Sequence, residues 1–113
     1  MRATADVQDL LVAAFSACRE LPAPEETAAV HRGLVAEIKR RLPAAERAAA
    51  AAPDRSRDWY AHDRVIRAAR DALQLEGEEP SPHEGALVAG MRVAALGRCV
   101  RALVAYPSEG EVS

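Results

Sequence analysis

Apolar residues in this chain recur every three or four positions, and prolines divide that recurrence into four runs. Such spacing marks a helix with one buried face, so the chain is constrained to be a small assembly of amphipathic helices. The first run covers residues 4–20. Val7, Leu11, Ala14, Cys18 and Leu21 form its stripe, widened by Leu10 and Phe15, and Leu21-Pro22-Ala23-Pro24 ends it. Thr4 is placed to cap it, with Asp6 and Asp9 near its positive end. The second run opens at Pro24-Glu25-Glu26, a proline-plus-acid start, and carries Leu34, Ile38, Leu42, Ala45 and Ala49 with His31 in line. Pro43 lies inside it and predicts a kink or short break over residues 40–42.

The third run follows Pro53-Asp54-Arg55-Ser56, with Trp59, His62, Ile66, Ala69 and Leu73 on one face and Asp63, Arg67 and Asp71 on the other. The fourth is expected to start at Ser81 as cap, with Pro82 in the first helical position and Glu84 completing a capping box. Ala89, Val93, Leu96, Val100 and Leu103 form its main stripe, and Gly90, Ala94 and Gly97 form a second stripe of small residues. Glycine inside a helix costs about 1 kcal/mol against alanine, so two of them call for a close helix contact. No segment alternates with a period of two. The fold class is therefore all-α: a four-helix up-and-down bundle over residues 1–106, its second helix kinked near Pro43, with a flexible tail at 107–113.

Composition narrows the function. The formal charge of the 113 residues is −2, which gives no general attraction to nucleic acid or anionic membrane. The middle of the chain, residues 31–70, carries +5 between acidic flanks of −3 and −4. A nucleic-acid contact would rest there, on Lys39, Arg40, Arg41, Arg55, Arg57, Arg64, Arg67 and Arg70, but interspersed aspartates blunt the field and the reading is disfavoured. No apolar stretch approaches a membrane span. Cys18 and Cys99 are distant and read as reduced, buried thiols, consistent with a cytoplasmic protein.

Motifs for chemistry are sparse. No Glu-x-x-His pair, zinc-like spacing, Gly-x-Ser-x-Gly or Gly-x-Gly occurs, so no metal site and no cofactor is expected. One acid–base arrangement remains open. His31 and His62 lie on apolar stripes of neighbouring helices, and Arg92 can reach inward from the fourth, with Trp59 and Tyr60 as a pocket wall. Such a pocket would suit an isomerase- or cyclase-like reaction or a small-molecule ligand. The competing and favoured reading places each histidine at a bundle end or edge, bonded to backbone. The fourth helix also offers more apolar surface than one buried face requires, and Leu87, Gly90, Met91, Ala94 and Gly97 are the expected interface for a homodimer or a larger protein partner.

Leu21-Pro22-Ala23-Pro24-Glu25-Glu26, then Leu34, Ile38, Leu42-Pro43 and Glu46, then Ala69-Arg70-Asp71-Ala72-Leu73 resemble a family of small actinobacterial helical proteins often labelled natural product biosynthesis proteins. The family often has Arg-Gly-His before the position of Ile38, where this chain has Val35-Ala36-Glu37. The resemblance implies a cytoplasmic helical accessory protein and transfers no catalytic residue. Taken together, the sequence points first to a non-catalytic interaction module, and second to the acid–base bundle.

Overall fold

The computed structural model describes the backbone of residues 2–20, 23–78 and 83–106, and the side chains of 7–16, 23–78 and 83–106. Four helices follow one another: α1 (Arg2–Glu20), α2 (Pro24–Ala51), α3 (Arg57–Glu76) and α4 (Ala86–Leu103), and no strand occurs among the described residues. α1 begins at Arg2, so Thr4 lies inside the helix and not at its cap, whereas the expected stop at Leu21-Pro22, the Ser81-Pro82 start and the tail from Pro107 involve residues outside those described.

α2 and α3 begin where local chemistry dictates, and α4 does not. At α2 the Ala23 N–H donates to the Glu26 carboxylate at 3.3 Å, and Pro24 occupies a position whose N–H would have no helical partner. At α3 the Ser56 hydroxyl accepts from the Trp59 N–H at 3.1 Å, as an N-cap serine does. α4 is the exception: its N-cap is Gly85, so the helix starts about one turn later than the expected capping box. Glu84 explains the shift, since its carboxylate accepts both hydrogen bonds of the Arg92 Nη1 group, at 2.8 and 3.0 Å.

α2 continues through Pro43 without a break. The missing proline N–H leaves the carbonyl of Lys39 without its helical donor, on an exposed stretch where water can serve it. The buried stripe of α2 runs through Leu34, Ile38, Arg41 and Ala45, so Arg41 holds the core position expected for Leu42, which is half-buried.

α4 packs on all three other helices, α2 touches all three as well, and α1 and α3 stand diagonally apart. The cross-section is thus a rhombus whose short diagonal joins α2 and α4. Val93, Leu96, Val100 and Leu103 of α4 and Leu34 and Ile38 of α2 are fully enclosed along that diagonal. Neighbours alternate in direction. His31 near the start of α2 meets Glu76 at the end of α3, and Arg92 near the start of α4 meets the same residue. Arg101 of α4 lies 4.6 Å over the Phe15 ring of α1.

Candidate functional site

Antiparallel packing separates the residues that the sequence grouped together. His31 is 1 % exposed, and its Nε2 lies 2.6 Å from the carbonyl oxygen of Glu76. A carbonyl only accepts, so Nε2 carries the proton and donates, which closes one of the open carbonyls at the C-terminus of α3. Nδ1 of the same ring is buried with no partner among the described residues, a cost of about 1–3 kcal/mol. Arg92 reaches the same helix end. It donates through Nε to the Glu76 carboxylate at 3.1 Å, through Nη1 to Glu84, and through Nη2 to the Glu78 carbonyl at 2.5 Å. Burial opposes its charge, but the hydrogen bonds and charges of Glu84 and then Glu76 outweigh it and raise the guanidinium above its ordinary value.

His62 is elsewhere. It precedes Glu76 by fourteen residues of one helix, about 21 Å at 1.5 Å per residue. Its Nδ1 lies 2.5 Å from the Tyr106 hydroxyl, with the two rings edge to face. Trp59 and Tyr60 stand one turn beyond, at the start of α3, in a T-shaped pair with centroids 5.0 Å apart, and Tyr60 is 49 % exposed. The expected pocket joining His31, His62 and Arg92 therefore does not form. His31 and Arg92 share an end of the bundle through Glu76, and His62 belongs to the other end. The backbone-capping alternative describes His31, whereas the partner of His62 is a side chain.

The His62 end holds a network that the sequence did not reveal. Glu37 and Arg41 are buried at 4 % and 7 % exposure, and Arg41 Nε donates to Glu37 at 2.9 Å. Arg41 Nη1 then donates to the carbonyls of Tyr106 at 2.7 Å and Val104 at 3.4 Å, closing the C-terminus of α4. Tyr106 thus links Arg41 of α2 to His62 of α3. The available signal was the spacing of Glu37 and Arg41, one turn apart and flanking Ile38 on the stripe of α2.

Beside His31 lies an open depression of about 260 Å³, bordered by Arg32, Val35, Ala36, Lys39 and Gly77. A second open groove of about 290 Å³ runs between α1 and α4, along Leu11, Val12, Phe15, Arg101 and Val104. No three His, Cys, Asp or Glu side chains among the described residues converge as metal ligands would. Of the eight basic residues named for a nucleic-acid contact, Arg40, Arg41, Arg67 and Arg70 are engaged by Glu37, Asp63 and Glu46.

The expected interface residues divide into two sets. Gly97 is buried against α1, where an added Cβ would stand 2.9 Å from Ala14 Cβ and 3.3 Å from the Phe15 ring. Gly90 and Ala94 are buried as well, so the small-residue stripe serves packing within the chain. Leu87 and Met91 remain outside, 56 % and 57 % exposed. Two residues missed by the sequence reading join them: Val88 at 50 % and Leu75, near the end of α3, at 75 %. By helical spacing Val88 and Ala95 follow Arg92 and Cys99 near the side of α4 that meets α3, Leu75 follows Ala68 on the facing side of α3, and Met91 and Leu87 continue over the outer surface of α4. Cys99 lies in the α3–α4 seam, its thiol 3.5 Å from the Ala68 carbonyl. Burial pushes the thiol up; Arg98 draws it down and Asp71 raises it. The side chain of Cys18 lies outside the described residues.

No helix among the described residues is long and apolar enough to cross a membrane. No curated protein and no solved structure matches the chain. The sequence pattern of the family of unknown function DUF6415 matches residues 2–109, which include all four helices, and the chain belongs to that family.

Proposed function

We propose that this protein is a non-catalytic helical interaction module that docks another protein on the α3–α4 seam. One observation carries the reading: Leu75, Leu87, Val88 and Met91 are each at least half exposed on adjoining helices. Large apolar side chains grouped in this way mark an association surface, whereas scattered ones do not. The polar networks favour the same reading. His31, Arg92 and Arg41 donate to carbonyls at helix ends, and His62 stands at the other end of the bundle from His31 and Arg92.

The resemblance to actinobacterial proteins labelled for natural product biosynthesis supports a cytoplasmic accessory role beside a biosynthetic enzyme. The test is affinity capture with the wild-type chain and with a Leu87→Glu/Met91→Glu double variant. Both positions are exposed, so helicity should be unchanged. The wild type is expected to retain a protein, whether a second copy or a different chain, that the variant releases. Equal retention by both would rule the reading out.

A further inference from the structure

We infer that the occupant of the α3–α4 seam is a second copy of this chain, related by a two-fold axis parallel to the helices. The inference rests on the interaction-module reading and names its partner. The register between α3 and α4 is fixed by two contacts: Glu76 stands opposite Arg92, and Ala68 opposite Cys99. Leu75 therefore lies level with Arg92 and Val93, beside Met91, and Asp71 lies level with Leu96 and Gly97, beside Arg98.

A two-fold axis along the seam keeps these levels and exchanges the helices. It sets α3 of one copy against α4 of the other. Leu75 then packs on Met91 and Val88 of the second copy, and the reciprocal contact forms at the same time. Ala68 on α3 and Ala95 on α4, about one turn apart in height, are small and leave room for the two seams to approach.

Charge agrees with this placement. Arg98 adjoins Cys99 on α4 and Asp71 lies one turn beyond Ala68 on α3, and both are exposed beside the contact that sets the register. Neither takes part in the ion pairs that join Glu37 to Arg41, Glu46 to Arg70, or Arg92 to Glu76 and Glu84. One cation on α4 and one anion on α3, at the same level, form a self-complementary rim. Each Arg98 meets the Asp71 of the second copy, twice per dimer. An antiparallel arrangement would instead carry both charges away from their counterparts.

Sedimentation equilibrium of the purified chain from about 1 to 200 µM tests this, because a two-fold association depends on protomer concentration. The wild type is expected to be dimeric in the upper part of that range. Met91→Glu should weaken association at least about 100-fold, since a two-fold interface carries the substitution twice. Arg98→Glu and Asp71→Arg should each weaken it about tenfold by opposing like charges. An equimolar mixture of those two variants should regain wild-type association, because the mixed dimer restores an opposite-charge pair at both contacts.

Circular dichroism of each variant separates lost association from lost folding. A wild type that stays monomeric at the highest concentration overturns the second-copy inference and leaves the seam itself to the capture experiment. A dimer indifferent to Met91→Glu, or a mixture that does not recover, overturns the placement.

Discussion

His31 and Arg41 of α2 do the same work ten residues apart: each reaches from a buried site to carbonyls at the end of a neighbouring helix. The last four carbonyls of any helix lack internal donors, and a buried helix end must find them elsewhere. Arg41 bears the larger consequence because its charge is neutralised by Glu37, which is itself 4 % exposed. Arg41→Met would strand that carboxylate with only Arg40, a half-exposed partner, and would open the α4 carbonyls. The expected loss is about 3 kcal/mol, the low end for a broken buried pair. Adding Glu37→Leu should restore part of the loss, because the stranded charge is then gone. Urea unfolding of both single variants and the double variant reads the coupling, and strictly additive losses would show that the pair is not a unit.

At the scale of the element, the two glycines at helix contacts have opposite prospects. An alanine at Gly33 would meet only the tip of the Leu10 side chain, with the nearest atom at 2.7 Å. That tip can rotate, and alanine adds helix propensity of about 1 kcal/mol, so Gly33→Ala should be neutral or stabilising. At Gly97 the obstacle is Ala14 Cβ, fixed to the backbone of α1 at 2.9 Å. Gly97→Ala must push α1 away from α4 and should cost about 1–2 kcal/mol net, within the range for overpacking. Thermal melts of the two variants, shifting in opposite directions or one alone falling, check the distinction.

The same elements show what periodicity can and cannot convey. Helix limits for α2 and α3 followed from proline, serine and apolar spacing because those signals are local. The start of α4 was misread because the partner of Glu84 is Arg92, eight residues on, and not the cap. The small-residue stripe announced close packing correctly, but nothing in its spacing distinguishes α1 of the same chain from a helix of another.

Across the whole molecule, periodicity assigns a residue to a face and leaves its height along the bundle undetermined. His31 and His62 both lie on inward-facing stripes, yet the alternating directions of the helices set residue 31 beside residue 76 and residue 62 beside residue 106. Height becomes readable only once the register between helices is known, which is why the candidate pocket failed where the fold class held. Centrality follows from the same packing. α4 and α2 touch every other helix, and the fully enclosed side chains concentrate along the diagonal between them. An opening that exposes the middle of α4 must break its contacts with α1, α2 and α3 together, which amounts to global unfolding. Amides from Leu96 to Val100 are therefore expected to exchange with solvent only at the free energy of global unfolding measured by denaturant. α1 touches only α2 and α4, so its amides should exchange through a smaller opening. Native-state hydrogen exchange resolves the two classes. Equal protection in α1 and α4 would mean that the four helices open as one unit, and slower exchange in α1 would contradict the central place of α4.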